Sequence, residues 1–345
     1  MQEIKNIKKF RTASARWKRM VVDSTNPLLV ADLGVPQYDI KKEGITQSLM
    51  SVYMKCPREF LFKVNKLHSE GKRIAFAFGS ITHETLDKIY NYYMKHGKLP
   101  GLLLIKKWVY DYPEQNKKWL PSDSSIELKE RYMSVCYVVV TEYIRYFKNR
   151  DFVPGRLVGA EDVFDIKYKG FRLRGKKDLR FNINGGQWIM ETKTASRVVE
   201  SDYMDSLGMN FQNLFYVIAE EIESGKKCEG VLYNIVRNPG LKFTENSLEE
   251  YCNRIRRDIR SRPDFYFLRY EVPYTSYDKN LFKQDLDEIL PSIYIKLKTE
   301  SPKIFYHNRR MCLGKFKCSF LPACTSGKLI GYSQGDSLFP ELEEA

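Results

Sequence analysis

Residues 1–44 show no regular alternation of apolar and polar positions and contain two prolines, whereas apolar residues recur every three or four positions from Ile45 onward. A first helix is predicted to begin after Thr46 or Ser48, either of which can cap a helix N-terminus. Pro57 is expected to interrupt that helix after one or two turns, because proline lacks the N–H that a helix interior needs. The pattern thus predicts an irregular arm followed by a helical region.

Two longer helices are predicted over about 80–95 and about 132–147, and β-branched and aromatic residues become frequent from Leu157 onward. Lys169-Gly170 and the Asn-Gly-Gly stretch that starts at Asn184 are typical of hairpin turns. Strands are predicted near 157–167, 170–175, 177–183, 187–193, 230–236 and 266–273. Helices are predicted near 205–224, 246–261 and 278–298. This order of elements predicts an α/β core.

The 345 residues are 43% hydrophobic and 14% aromatic, which is enough apolar material for one large or two modest domains. Lysine and arginine number 57 against 43 aspartates and glutamates, and the net charge of +14 indicates a polyanionic partner. No apolar stretch reaches the roughly 18 residues that cross a bilayer, and the N-terminus lacks a signal-peptide core. We therefore expect a soluble, cytoplasmic protein that binds no membrane. The basic N-terminal residues are expected to form a loose arm, which is favoured over a transit peptide.

Two carboxylates and a lysine are predicted to meet at one hairpin. Residues two apart in a strand share a face, which sets Glu191 beside Lys193, and the Asn-Gly-Gly turn can fold Asp178 back toward them. Hard oxygen ligands suit Mg²⁺ or Mn²⁺, which can activate water and neutralise charge on a phosphodiester while the lysine orients the nucleophile. An ordinary surface hairpin that carries the same three residues is the alternative.

Three other polar residues lie on predicted helices before and after this hairpin. His83 shares a helix face with apolar residues, which turns it inward, and Gln212 and Tyr216 lie one turn apart on the helix that follows the hairpin. Taken singly, His83 is explained as a hydrogen-bonded core histidine, and Gln212 and Tyr216 are explained as the polar edge of a packed helix. Their order in the chain is more informative than any one of them.

Six short motifs follow one another along the chain. They are Ser48 with Cys56-Pro57 ahead of Phe60, Gly79-x3-His83, Glu161, Gly175-x2-Asp178, Glu191-Thr192-Lys193 and Gln212-x3-Tyr216. On these residues the chain resembles the RecB-like branch of the PD-(D/E)XK nuclease superfamily over about 45–240, with a further match at the C-terminus. Each motif is weak alone, but six in order argue against coincidence.

The resemblance implies a restriction-endonuclease-like α/β fold, in which a mixed central sheet is flanked by helices. The implied activity is Mg²⁺- or Mn²⁺-dependent hydrolysis of DNA phosphodiester bonds, with a preference for single strands and for exonucleolytic cleavage. Such an enzyme would act in DNA recombination, repair or processing, with a separate helicase or recombination protein as a conceivable partner.

The resemblance also assigns roles to residues of this chain. His83, Asp178, Glu191 and the carbonyl of Thr192 would hold the metal ion, and Lys193 would be the catalytic lysine. In addition, Gln212 and Tyr216 would contact DNA or brace the site.

Seven cysteines in a chain without a secretory signal favour free thiols or metal ligands over disulfides. Cys312, Cys318 and Cys324 are separated by five residues each, and three thiolates require a fourth ligand, for which Cys56 is the natural candidate and His307 a substitute. The arrangement resembles the iron-sulfur nucleases of CRISPR adaptation and of a bacterial helicase-nuclease, which implies a 4Fe-4S cluster. The first gap is longer than the two residues usual there, so zinc and unmetallated thiols stay open.

The predicted organisation is a basic arm over 1–44, a nuclease core over 45–305 with a helical insertion near 80–150, and a cysteine-rich iron-sulfur clasp with a polar tail over 306–345. An aromatic cluster from Tyr266 to Tyr270 follows an arginine-rich helix, and the pair would suit stacking and phosphate contacts with a single strand. Two other functions stay open: a noncatalytic nucleic-acid-binding or recombination factor on the same fold, and a zinc-binding DNA-binding protein.

Overall fold

The computed structural model describes residues 28–69, 77–115, 126–195, 206–313, 317–339 and 342. The helices are α1 (Gln47–Lys55), α2 (Pro57–Val64), α3 (Ala77–His96), α4 (Leu102–Gln115), α5 (Ile126–Asp151), α6 (Phe211–Ser224), α7 (Leu248–Ser261), α8 (Pro263–Tyr266), α9 (Ser276–Lys298) and α10 (Leu321–Ser326). The strands are β1 (Ile45–Thr46), β2 (Leu67–Ser69), β3 (Leu157–Tyr168), β4 (Phe171–Ile183), β5 (Gly186–Ala195), β6 (Cys228–Arg237), β7 (Phe267–Pro273) and β8 (Tyr332–Gln334).

The described residues form two compact units. The first takes its residues from Met1–Glu70, Lys167–Arg172 and Asp285–Glu344, and the second from Gly71–Ile166 and Leu173–Gln284. The cysteines at 56, 312, 318 and 324 lie in the first unit, and the predicted metal site lies in the second.

The second unit is built on a mixed sheet. β3 pairs with β4, and the order continues β4-β5-β6-β7, in which β5 and β6 run parallel while the β4-β5 and β6-β7 pairs are antiparallel. Apolar residues of α3, α4, α5 and α7 form one core with residues of β4, β5 and β6. Helix α6 packs on β5 and β6. The predicted fold, a mixed central sheet flanked by helices, is confirmed.

Local turn chemistry explains the hairpins. Lys169 and Gly170 have φ values of 46° and 84°, and Asn184 and Gly185 have values of 52° and 82°. Two successive positive φ angles are what a type I′ turn requires, and its twist matches that of the strands it joins. The two short strands predicted on either side of residue 176 are one continuous strand, β4.

Helix α4 was not among the predicted elements. Its sequence opens on four consecutive apolar residues, so its apolar positions show no clear helical spacing. Only Ile105, Val109 and Tyr112 are buried, at the spacing of one helix face, whereas Leu103 is 86% exposed. The helical face is therefore set by packing against α3 and α5, which the sequence pattern did not reveal.

In the first unit, the chain breaks between α1 and α2 as Pro57 predicts. The Thr46 hydroxyl caps α1 by accepting from the Leu49 N–H at 3.3 Å. Cys56 is extended, with φ −160° and ψ 106°, and Pro57 then serves as the first residue of α2, where its missing N–H costs nothing. The cysteine therefore occupies the corner between two helices.

The C-terminal segment packs against α2 and the described end of the arm. Phe62 of α2 joins a small core with buried residues from the arm, from β2 and from the C-terminal segment, which are Val30, Leu33, Leu67, Phe320, Ala323, Leu329 and Tyr332. Strands β2 and β8 pair antiparallel beside this core. Residues 28–44 are mostly irregular in backbone but contribute Val30 and Leu33 to this core, while residues 1–27 lie outside the described part of the chain.

Within the described residues, none of the helices combines the length and the apolar character that a membrane span needs.

Candidate active site

The site forms where β4 and β5 separate. Their paired register ends at Leu179 and Met190. One residue further along each strand, Asp178 faces Glu191, and the Asp178 carboxylate accepts a hydrogen bond from the Thr192 N–H at 2.9 Å. The Asp178 side chain thus replaces a backbone acceptor for the Thr192 N–H at the fork. This contact holds Asp178 against β5, the strand that carries Glu191 and Lys193.

Glu191 is a buried carboxylate with one oxygen left over. Its side chain is only 2% exposed, and its Oε1 accepts hydrogen bonds from the Lys193 ammonium and from Gln212 Nε2, the latter at 2.8 Å. Its Oε2 is buried and has no hydrogen-bond partner among the described residues. Burial, followed by the charge of Asp178, raises the pKa of Glu191 to about 8, against the opposing effect of Lys193.

Helix α6 brings Gln212 and Tyr216 to this carboxylate. Gln212 Oε1 accepts from Lys193 Nζ at 3.1 Å, and Gln212 Nε2 also lies 3.3 Å from the Tyr216 hydroxyl. A side chain at Gly175 would collide with Phe164, since a Cβ there would lie 2.6 Å from its ring, and would also touch Tyr216. The glycine of the Gly175-x2-Asp178 motif thus makes room for the aromatic residues beside the site.

His83 faces the site from α3. Burial lowers the pKa of His83, Lys193 acts in the same direction, and Asp178 opposes both. These three groups are therefore close enough for their charges to interact. Gly79, one turn earlier in α3, lies against β5, because a Cβ at this position would be 2.7 Å from Thr194 Oγ1.

Gly79→Ala is expected to lower the free energy of unfolding by about 1 kcal/mol, because overpacking of about 1–3 kcal/mol is partly offset by the better helix propensity of alanine. Urea unfolding would measure the change. In a Thr194→Ala background the added Cβ meets no oxygen, so Gly79→Ala should be neutral or stabilising there. Equal effects in the two backgrounds would contradict this account of Gly79.

Asp87, which lies one turn beyond His83 on α3, was not among the predicted site residues. Burial raises its pKa well above the usual value, and the charges of Asp178 and Glu161 act in the same direction. Glu161 also accepts from Asn91 Nδ2 at 3.1 Å and pairs with Lys176. The i, i+4 spacing of His83 and Asp87 was the signal available in the sequence.

A buried polar network behind Thr192 was also missed. Asn234 Nδ2 donates to Thr192 Oγ1 at 3.2 Å, and its Oδ1 accepts from Arg269 Nε at 3.0 Å. Arg269 in turn forms two 2.6 Å hydrogen bonds with Asp151. A lone asparagine within the apolar strand β6 was the only sequence signal.

The predicted base-stacking role of the Tyr266–Tyr270 cluster is wrong for its two buried members, Tyr266 and Phe267. Tyr266 and Phe267 are 2% and 3% exposed, so their rings cannot stack on bases, and Arg269 is engaged by Asp151. These aromatic residues belong to the core formed with α5 and α7.

The residues at the fork fit a divalent cation in their chemistry. An unpartnered buried carboxylate oxygen on Glu191, with a second carboxylate close enough to raise its pKa, is an arrangement that a cation would relieve. In the described part of the chain, however, no three histidine, cysteine, aspartate or glutamate side chains are already arranged to hold a metal ion. The geometry therefore supplies donors and charge, not a completed coordination shell.

The four cysteines of the predicted clasp lie near one another in the first unit. Burial, followed by the charges of Cys318, Cys56 and Cys312, raises the pKa of Cys324 to about 11. Cys56 Sγ accepts from the Asn308 N–H at 3.4 Å, and Cys318 Sγ lies 3.8 Å from Glu59 Oε2. The structure therefore brings Cys56 to the late cysteines as free thiols.

The remaining cysteines are Cys136, Cys228 and Cys252, all in the second unit. Cys136 and Cys228 are fully buried, and burial raises the pKa of each thiol to about 12. Cys252 packs at the edge of the core of the second unit. His307, the substitute ligand, is exposed.

Comparison with known proteins bears on this geometry. A family model described as the PD-(D/E)XK nuclease superfamily matches residues 45–324. No curated protein matches the chain.

Three solved structures are similar at low identity. A protein from Eubacterium rectale named "Putative exonuclease" shares 14% identity over 64% of this chain and 79% of its own, with a TM-score of 0.36. SSO0001 shares 13% over 61% of this chain and 86% of its own, with a TM-score of 0.25. VC1899 from Vibrio cholerae shares 11% over 64% of this chain and 56% of its own, with a TM-score of 0.20.

The structural similarities are too low to bear on function, and the family match stands independently of them. That match spans well over half of the chain, and its range includes the α3 helix, the β4-β5 fork and the late cysteines. The chain therefore belongs to the PD-(D/E)XK nuclease superfamily.

Proposed function

We propose that this protein is a Mg²⁺- or Mn²⁺-dependent deoxyribonuclease that hydrolyses phosphodiester bonds at the β4-β5 fork. The observation that carries the proposal is Glu191, a buried carboxylate beside Asp178 and in contact with Lys193, one oxygen of which has no partner in the described structure. A purely structural carboxylate at this depth would have both oxygens satisfied, because an unpaired buried acceptor costs about 1–3 kcal/mol.

Asp178, Glu191, His83 and the carbonyl of Thr192 would hold the cation. When bound, it would supply a water molecule of lowered pKa and positive charge beside the phosphodiester. The Lys193 ammonium orients the attacking water and stabilises the negative charge that develops on the phosphate oxygens. Gln212 contacts both Lys193 and Glu191, so it fixes the position of the lysine relative to the carboxylate.

We further propose that the substrate is single-stranded DNA and that cleavage proceeds from an end. The net charge of +14 supports a nucleic-acid substrate. The preference for single strands and for ends rests on the resemblance to RecB-like nucleases, as does a role in recombination, repair or processing beside a separate helicase or recombination protein.

The four cysteines would hold a 4Fe-4S cluster. Support comes from their mutual electrostatic influence and from the Asn308 N–H on Cys56 Sγ, a type of hydrogen bond that tunes iron-sulfur clusters. The clasp would then tie the α1-α2 corner to the C-terminal segment, with zinc as the less favoured metal.

Metal-dependent release of nucleotides from labelled DNA tests the proposed activity, and Lys193→Met tests the proposed site. We expect this variant to retain Mn²⁺ binding and to lose about a hundredfold to a thousandfold in cleavage rate, because it loses charge stabilisation in the transition state but no metal ligand. Lys227→Met is the matched control, since Lys227 is 66% exposed and pairs only with Glu229 among the described residues. Equal rates for wild type and Lys193→Met would reject the lysine's role.

A further inference from the structure

Arg237 is a buried cation at the C-terminal end of β6. It is only 9% exposed, and its buried Nε has no hydrogen-bond partner among the described residues. Among the residues that the structure describes, no carboxylate forms an ion pair with it, whereas Arg180 and Arg269 each have one or more. Burying a charge without a partner is costly, so a guanidinium in this setting is poised for an anion from outside.

The Phe265 ring contacts this guanidinium. Arg237 lies over the ring with its Cζ 4.2 Å from the ring centroid, and Arg262 lies 4.4 Å from the same centroid. The two arginines differ in one respect, because Arg262 forms two hydrogen bonds with Asp258 at 2.8 and 3.0 Å. Arg262 is therefore neutralised, whereas Arg237 has no anionic partner in the part of the chain that the structure describes.

Strand register places Arg237 on the face of the sheet that carries the candidate active site. Lys193 pairs with Ile235 and Ala195 pairs with Arg237 in the parallel β5-β6 ladder. Directly paired residues point to the same face, and so do residues two apart in a strand, so Glu191, Lys193 and Arg237 share a face. The Cα atoms of Lys193 and Arg237 are about 8 Å apart by the usual rise and spacing of strands.

We propose that Arg237 binds a phosphate of the DNA strand next to the phosphodiester that is cleaved. A planar guanidinium presents parallel N–H groups that match two phosphate oxygens, and stacking on an aromatic ring leaves the edge that carries those groups available. An anion bound there would supply the missing counter-charge. The site thus recognises a nucleic-acid backbone without reading bases, and its link to cleavage rests on the proposed function.

The first test is binding in chelator, where no cleavage occurs, with a short fluorescein-labelled oligothymidylate. Arg237→Gln should bind about tenfold more weakly, because it loses a charge-assisted contact. Its plot of log affinity against log salt should be shallower by about 0.7, the value for one phosphate on a single strand. Arg262→Gln, which removes an already paired arginine from the same ring, should match wild type. Wild-type affinity and salt slope for Arg237→Gln would overturn the proposal.

The second test separates substrate binding from chemistry and from folding. Arg237→Gln should cleave the small diester bis(p-nitrophenyl) phosphate at the wild-type rate and the oligonucleotide with a raised KM, since only the longer substrate offers a neighbouring phosphate. Its urea midpoint should equal or exceed that of wild type, because an unpaired buried charge is removed. A lower midpoint with unchanged oligonucleotide binding would show a structural role and overturn the proposal.

A third variant keeps the proposal testable if Arg237→Gln fails to fold. Arg237→Lys retains the charge but not the parallel donors, and it should keep the salt slope while binding severalfold more weakly. Wild-type affinity for this variant would overturn the proposal. If the wild-type protein released no nucleotide with either metal, the proposed function would fail, whereas the binding comparison in chelator would still decide the role of Arg237.

Discussion

Replacing Glu191 by glutamine is expected to reduce metal-dependent DNA cleavage by about a thousandfold or more. Glutamine keeps the size of the side chain and an oxygen, but it removes the negative charge that a divalent cation requires. A bound metal ion contributes several kcal/mol of transition-state stabilisation, and about 4 kcal/mol corresponds to about a thousandfold in rate. Single-turnover release of nucleotides in Mg²⁺ and in Mn²⁺, beside calorimetric Mn²⁺ binding, measures both losses.

Folding is not expected to limit this experiment. Burial already favours the neutral form of the Glu191 carboxyl, as its raised pKa of about 8 indicates, so the neutral amide should leave stability unchanged or higher. Asp178→Asn should also fold, because an amide oxygen can still accept the Thr192 N–H. It should lose activity in the same way as Glu191→Gln, because it too lacks the negative charge. Glu229→Gln, at a 36% exposed carboxylate paired with Lys227, is the matched control. A folded Glu191→Gln protein that cleaved at the wild-type rate would remove Glu191 from the site.

The fork itself could be predicted because its determinants are local. Strand alternation sets Glu191 beside Lys193, and the Asn184-Gly185 turn, with both φ angles positive, fixes the hairpin that returns Asp178 to them. The Thr192 N–H to Asp178 contact follows from that register. Sequence spacing carries this information directly, since each step involves neighbours in one hairpin.

The rest of the site depends on packing between distant segments. Asn234 contacts Thr192 across the β5-β6 pair, and Arg269 contacts Asn234 across the β6-β7 pair. Sequence spacing does not specify which strands become neighbours. The same limit explains the wrong prediction for Tyr266 and Phe267, because an aromatic side chain can serve either in base stacking or in a core. Their burial against α5 and α7 decided in favour of the core.

Asp87 and Arg237 illustrate a different limit. Asp87 is a carboxylate on α3 that lies near the charges of Asp178 and Glu161, which belong to β4 and β3. Arg237 is an arginine distinguished only by the partner it lacks in the described structure. Neither property is a pattern in the sequence, because each depends on what surrounds the side chain after folding. Polar groups of this kind are found from burial and hydrogen bonding, not from periodicity.

Cys318→Ser is expected to remove the metal centre of the clasp and to destabilise the first unit. Anaerobically purified wild-type protein should be brown and contain iron and acid-labile sulfide, whereas the variant should be colourless, because one lost thiolate opens the four-cysteine ligand set. The chain between Glu59, next to Cys56 on the α1-α2 segment, and Cys318 spans 259 residues. A cross-link over a loop this long stabilises by about 5 kcal/mol through the entropy that the unfolded chain loses.

Absorption spectra, iron, sulfide and zinc analysis, and urea unfolding would measure these losses. Cys252→Ser is the matched control, because Cys252 is half-buried in the second unit, away from the clasp cysteines in sequence, and should keep both the colour and the stability of wild type. The expected loss exceeds that from an ordinary buried cysteine, since a shared metal centre would cross-link Cys56 to the late cysteines. Colourless wild-type protein with one zinc per chain would reject the iron-sulfur cluster and retain the clasp, while metal-free protein whose stability Cys318→Ser leaves unchanged would reject both.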